Sequence, residues 1–399
     1  QAITIVYEVE IFESVTTEKS SRNITTFCYV TMFVVVTMSL GTKFIFEKHL
    51  SLDGVYYFTE ILERENFVDI AWSRRFAEYL TEWPLVIAVK LGITDIGSLI
   101  DIFAIGVYFP YMLSFLLSWY AVRDEDKNLL WFPLASYLSI NMLSDYSMIA
   151  DHHSMALMSW PIVLLLLRDR QLRWHEGLVL CVLLIIYSRL YEAAVLTGLL
   201  MLGICLIRLL KHRGKETTFI VIACILLITC VAISIQYILE PRSPQNRNNF
   251  LDSIWVYRRN IEAMVISAFF SLFCLGWLVG RGNYKLKVLL YILSTLPVLW
   301  YIGFRLTTDY AVTAYVSFSS RTLTVIVLPG LICFAMAVRY FKRCQTKSGV
   351  LVFSFVFVVF VCFNTLDTQR WTAFSSEMKK IISTNHGYLS IDETTLKDD

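Results

Sequence analysis

Charged side chains are scarce in this chain: Asp, Glu, Lys and Arg make up 17% of its 399 residues, against about a quarter in a typical soluble domain. That scarcity excludes a disordered or heavily solvated polypeptide, which needs charge and few apolar groups. The formal charge of +2 leaves no basic surplus for nucleic acid. Nine cysteines occur without a CxxC pair or metal-type spacing, so neither a disulfide framework nor a zinc cluster is indicated. Strict polar–apolar alternation is missing, which argues against a membrane β-barrel. There is no internal repeat, low-complexity run or second soluble domain.

What the chain has in abundance is apolar side chains, 56% of the total, with 15% aromatic residues. They fall into eleven stretches, at approximately 27–47, 98–121, 129–148, 154–168, 177–190, 193–210, 218–239, 262–280, 286–304, 322–341 and 349–363. A hydrocarbon core about 30 Å thick takes about 20 residues of helix, and only internally closed backbone hydrogen bonding is tolerated there. The expectation is an all-α polytopic membrane protein of about eleven transmembrane helices. Residues 1–26 form a cytoplasmic lead-in, 27–363 the membrane domain including a long polar loop at 48–97, and 364–399 an outward polar tail, either a small appendage or a disordered end.

Lys and Arg set the orientation, because cytoplasmic loops retain positive charge. One set of short loops holds sixteen: Arg123, Lys127; Arg168, Arg170, Arg173; Arg208, Lys211, Arg213, Lys215; Arg281, Lys285, Lys287; Arg339, Lys342, Arg343, Lys347. The opposing turn 149–153 holds none and 305–321 only Arg305 and Arg321. This places the N-terminus in the cytoplasm and the C-terminus outside. The same count decides Val179–Leu210: a single span would invert every later segment, so two short helices meeting at an outward turn around Ser188–Glu192 are expected. The cysteines lie inside or at the ends of spans, except Cys344 in a basic loop, and read as small buried hydrophobes.

Acidic groups on the outward side are Asp53, Glu60, Asp95, Asp101, Asp145, Asp151, Glu192 and Asp309. Asp53 opens the first loop, and apolar residues at 57, 58, 61 and 62 predict an amphipathic surface helix behind it. The carboxylate is either that helix's N-cap or a general base at the water boundary. Trp72–Tyr79 reads as a second surface helix, and Leu85–Ile93 as an apolar run too short to cross. Such a structured loop commonly carries function. Asp151-His152-His153 sits at an outward turn; Asp151 with one His forms a ligand or proton-handling pair, or Asp151 and Ser154 cap a tight turn. Arg189-Leu190-Tyr191-Glu192 suits recognition of a phosphate, unless Arg189 and Glu192 merely pair to seal the turn. Arg258 and Arg259, next to a span, are further phosphate candidates.

The layout of a first span, then a long outward loop reading Leu52-Asp53-Gly54-Val55-Tyr56-Tyr57-Phe58-Thr59-Glu60-Ile61-Leu62, resembles the GT-C glycosyltransferases, multi-span enzymes that use polyprenyl-phosphate-linked sugars. The resemblance is architectural and covers almost the whole chain. It implies transfer of a sugar from a polyprenyl-phosphate donor to a glycan, lipid or protein acceptor on the periplasmic or lumenal face of a membrane, most simply the bacterial inner membrane. It makes Asp53 the catalytic base or acceptor-binding acid and puts Asp151 and His152 where some members place a second acid or a metal ligand. Arg189, Tyr191, Glu192, Arg258, Arg259 and His152 become the substrate- and phosphate-binding candidates. No cofactor is required by the pattern, a divalent cation is an option, and no nucleic acid is expected. The chain departs from the family in lacking a large soluble C-terminal domain and an obvious acidic companion in its second span. A polymerase of lipid-linked glycans, a flippase for lipid-linked sugar and a non-catalytic subunit are the alternatives.

Overall fold

The computed structural model describes residues 29–50, 53–68, 74–125, 127–141, 151–211, 216–240, 261–279, 283–307, 315–341 and 347–384, and every regular element among them is helical. In chain order these are α1 (Tyr29–Ile45), a 3-10 turn (Lys48–Leu50), α2 (Asp53–Arg64), α3 (Arg75–Lys90) and α4 (Ile96–Val122). A broken segment follows: a 3-10 turn (Lys127–Leu130), α5 (Trp131–Ser136) and a π turn (Tyr137–Asn141). Then come α6 (Asp151–Leu166), α7 (Trp174–Tyr187), α8 (Ala194–Lys211), α9 (Glu216–Leu239), α10 (Ile261–Leu278), α11 (Tyr284–Thr307), α12 (Tyr315–Tyr340) and α13 (Lys347–Thr384).

Among the described residues, six helices are long and apolar enough to cross a membrane: Ile96–Val122, Ala194–Lys211, Glu216–Leu239, Tyr284–Phe304, Arg321–Tyr340 and Ser348–Leu366. The chain thus fits an integral membrane protein. Shorter apolar helices, Tyr29–Ile45, Trp174–Tyr187 and Ala263–Leu278, fall on three more of the anticipated stretches. Large apolar side chains face outward along the long helices, Leu116, Ile225, Ile228 and Leu296 each being more than half exposed. That pattern suits lipid, where such a face carries no penalty. The centre of the bundle is aromatic. Trp131 stacks on Phe273 at 5.3 Å and 5°, and Phe132 on Trp160 at 5.6 Å, so α5 ties α10 to α6.

Residues 179–210 form two helices rather than one, α7 and α8, joined by a turn at 188–193. Their packing on α6 is fixed by a buried hydroxyl chain in which Tyr187 is hydrogen-bonded to Ser159 (3.1 Å) and to Thr197 (2.5 Å). Three other expectations need correction. The segment 72–93 is not a surface helix plus a separate apolar run: Arg75–Lys90 is one helix that continues through Pro84. Ala77, Thr81, Pro84, Leu85 and Ala88 form one buried face that holds it together. Gly106 of α4 makes this possible, since a Cβ there would lie 2.0 Å from the Thr81 carbonyl oxygen and 3.0 Å from Pro84 Cδ. The polar segment after 363 begins as a direct helical extension of α13 to Thr384, with Asn364 and Thr368 buried and Asn364 accepting from Ser39 Oγ of α1 (3.3 Å). Finally, not all cysteines are buried: Cys333 and Cys362 are exposed, on the apolar faces of spanning helices, while Cys28 and Cys344 lie outside the described residues.

Among the described residues, arginines from four of the loops counted as basic, Arg123, Arg168, Arg170, Arg208 and Arg339, meet at one end of α4, α6, α7, α8 and α12 and are engaged there. Glu176, buried in the first turn of α7, accepts from Arg170 (2.6 and 3.0 Å) and from the Arg173 backbone (2.9 Å) and pairs with Arg168 at 2.5 Å. Arg168 in turn donates to the Ala121 and Tyr120 carbonyls at the end of α4. Arg208 satisfies the carbonyls of Leu166, Arg168 and Arg170 and pairs with Glu216 at 3.0 Å. Arg339 reaches the Leu167 carbonyl, Glu125 and Asp169. These carbonyls are largely the orphan acceptors of helix ends, which cannot stay unpaired when buried. The positive charges therefore cap and cross-tie helices at this end as well as marking it.

Candidate functional site

At the opposite end, the first loop is fastened to the bundle by charge. Arg74, one residue ahead of α3, donates from Nε and Nη2 to Glu192 (3.0 and 2.6 Å) and from Nη1 to Asp151 (3.1 Å). Glu192 lies in the α7–α8 turn and Asp151 opens α6, so one guanidinium joins three separate chain segments. Its plane lies 4.9 Å from the Tyr191 ring and 6.0 Å from Tyr237. The Phe76 amide adds a backbone bond to the Arg189 carbonyl (3.2 Å). The planar fork of Arg matches the two Glu192 oxygens, which a Lys cannot do.

The electrostatics follow from burial. Burial opposes charge on Arg74, but Glu192 and Asp151 outweigh it and hold its pKa well above the ordinary value. Asp151 is pushed up to about 6 by burial, aided by Glu192 and only partly countered by Arg74. Its Oδ2 is taken by Arg74, whereas Oδ1 accepts no hydrogen bond among the described residues, and the side chain retains 11% exposure. Close by, Glu82 of α3 is fully buried; its Oε2 accepts from the Val68 amide (2.8 Å), and burial raises its pKa to about 9. Glu82 thus pins the loop after α2 as a neutral acid. His152 is buried with its ring 5.7 Å from Tyr191 and 4.4 Å from His153.

The structure therefore brings together Asp151, His152, Tyr191 and Glu192. Asp151 does not cap its own turn: its Oδ2 goes to Arg74. Nor do Arg189 and Glu192 seal the α7–α8 turn as a pair. Glu192 uses both oxygens on Arg74, and the Arg189 guanidinium makes no ion pair among the described residues. Arg258 and Arg259 lie outside the described residues, as do Asp145 and Asp309. Asp53 is the first residue of α2, and its side chain lies outside them too. The helix behind it has the expected amphipathic form, with Tyr57, Phe58 and Ile61 buried and Val55 and Tyr56 exposed. Its start is pressed onto the chain: a Cβ on Gly54 would lie 1.9 Å from the His49 carbonyl oxygen. His49 is itself enclosed by Phe44, Phe103 and Tyr108, and burial lowers its pKa to about 4. Among the other acids, Glu60 pairs with Arg64 at 2.6 Å and Asp95 caps α4 by accepting from the Ser98 amide (2.8 Å).

Arg74, Glu78 and Glu82 were not among the candidates that the sequence singled out. Two signals pointed to them: arginines on a loop of the side where positive charge is scarce, and acids at 78 and 82, four residues apart on a face otherwise Ala77, Thr81, Leu85 and Ala88. Arg74 occupies oxygens of both carboxylates, and the described residues include no group of three or more metal-ligating side chains. Comparison with known protein families, curated proteins and solved structures finds no match to this chain.

Proposed function

We propose that the protein is an integral-membrane glycosyltransferase that moves a sugar from a polyprenyl-phosphate donor to a hydroxyl acceptor, at the end of the bundle opposite the basic loops. On this reading the basic end is cytoplasmic and about eleven helices span the membrane. The observation that carries the reading is the partial commitment of Asp151. One of its oxygens is fixed by Arg74 while the other takes no hydrogen bond among the described residues, in a site whose environment lifts its pKa to about 6. A general base working near neutral pH needs that kind of tuning and one reachable oxygen. In the proposed step the acceptor hydroxyl gives its proton to Asp151 as its oxygen bonds the anomeric carbon, and the C–O bond to phosphate breaks. The lipid phosphate leaves with that electron pair, its charge met by an arginine; Arg189, which makes no ion pair among the described residues, is the first candidate for this role, with Arg258 and Arg259 as further ones. Asp53, at the start of the first loop, is assigned to the acceptor.

A non-catalytic reading has one observation in its favour: Arg74 is held by both carboxylates, as in a clamp that simply fastens the loop. Transfer assays on Asp151→Asn separate the two, since the clamp keeps a hydrogen bond from Arg74 to the amide oxygen while the base is lost. Loss of transfer with intact folding supports catalysis; full transfer by this variant rejects it.

A further inference from the structure

Between α1, the last turns of α4 and the start of α5 lies a cavity of about 350 Å³, lined by Val30, Phe33, Leu116, Trp119, Leu130, Pro133 and their apolar neighbours. That volume falls in the range of small-molecule sites, roughly 300 to 1,000 Å³. The cavity lies where residues 127–136 form a 3-10 turn and a short helix instead of one straight span. Val30, Leu116 and Trp119 are 41%, 59% and 45% exposed at its rim, and α4 is long enough to cross a membrane, so the opening faces hydrocarbon. Its lining residues are apolar or aromatic, so a hydrocarbon chain, not a polar solute, is what it can take up.

The rim also carries a cation. Lys127 Nζ stands 5.0 Å from the Trp119 ring and donates to the Val122 (3.0 Å) and Arg123 (2.7 Å) carbonyls. An ammonium has three donors, so among the described residues one N–H is left for an outside acceptor. Arg123 lies beside it but is shared with Asp124 (3.3 Å) and Glu176 (3.6 Å), and Glu125 is committed to Arg339. We infer that this is a binding site for one anionic phospholipid, an acyl chain lying in the cavity and the phosphate on Lys127. The inference does not depend on glycosyl transfer, since it concerns the other end of the molecule.

The test is native mass spectrometry of the full-length protein in detergent, titrated separately with phosphatidylglycerol and phosphatidylcholine. Wild type is expected to retain one phosphatidylglycerol more firmly than phosphatidylcholine. Lys127→Gln should reduce that retention roughly tenfold, the worth of one charge-assisted hydrogen bond, and bring the two lipids level. Leu116→Trp, which fills the cavity, should abolish the retained lipid, whereas Leu206→Trp on the exposed face of α8 should not. Equal retention of the two lipids by wild type overturns the inference, as does a Leu116→Trp variant that holds as much phosphatidylglycerol as Leu206→Trp. If Leu116→Trp does not fold, the Lys127→Gln comparison decides alone.

Discussion

Removing Arg74 should destabilise the protein more than removing any surface cation, and in a way that can be reversed without restoring it. Arg74→Ala leaves Glu192, whose side chain is 1% exposed, and Asp151, at 11%, without the guanidinium that bonds both. Breaking a buried pair by deleting one partner costs about 3–5 kcal/mol, most of it from the uncompensated charge left behind. At roughly 2 °C per kcal/mol for a large domain, the melting temperature in detergent should fall by about 6–10 °C. Adding Asp151→Asn and Glu192→Gln to Arg74→Ala removes both stranded charges, so the triple variant should recover most of the loss. Acidification should help the single variant as well, because protonating either carboxylate relieves the repulsion. Thermal unfolding of the single and triple variants at pH 8 and pH 5 reads all of these effects. An Arg74→Ala protein as stable as wild type at pH 8, or a triple variant no better than the single, would show that Arg74 does not offset buried charge on Glu192 and Asp151.

The two charged ends should respond to pH in opposite directions. Glu176 has its pKa lowered to about 2: burial works against its charge, but Arg170, the Arg173 amide and Arg168 prevail. Its contribution is therefore complete above its ordinary carboxylate range and is lost as pH falls from about 4.5 toward 2; Glu176→Gln should flatten this acid limb of the stability curve. Asp151, raised to about 6, binds its proton more tightly when folded, so it adds stability at low pH that declines as pH rises through about 6; Asp151→Asn should remove that slope in a stability-versus-pH series. Gly106→Ala should separate α3 from α4 by steric clash at the Thr81 carbonyl, lowering the melting temperature by several degrees, while Gly203→Ala on α8, where a Cβ meets nothing, should be neutral or better.

Much of the architecture was legible because hydrocarbon allows few alternatives. Most of the apolar stretches become helices, and Arg123, Arg168, Arg170, Arg208 and Arg339, from four of the basic loops, converge among the described residues. The α7–α8 turn was readable from charge alone, since Arg189, Tyr191 and Glu192 would otherwise sit at mid-span. The amphipathic α2 was readable from the spacing of Tyr57, Phe58 and Ile61. Continuity of α3 through Pro84 was not, because it depends on packing against a glycine 22 residues later, a tertiary relation that local propensity does not encode. The same applies to the site. Asp151, Tyr191 and Glu192 stood out as polar groups at turns between spans, but their partner Arg74 is 77 and 118 residues away from Asp151 and Glu192 and sits in a polar loop where one arginine looks like another. Choosing it required knowing which segments touch.

The central claim is that Asp151 accepts a proton during sugar transfer. Purified wild type and Asp151→Asn should be compared for transfer from a polyprenyl-phosphate sugar across pH 5 to 8, at matched protein level and matched folding, with Asp53→Asn alongside. The account predicts transfer by wild type that rises through about pH 6, the pKa assigned to Asp151, and a loss of about 10²–10⁴-fold in Asp151→Asn, the usual worth of a positioned base. Transfer by Asp151→Asn at the wild-type rate, with an unchanged pH profile, would contradict it.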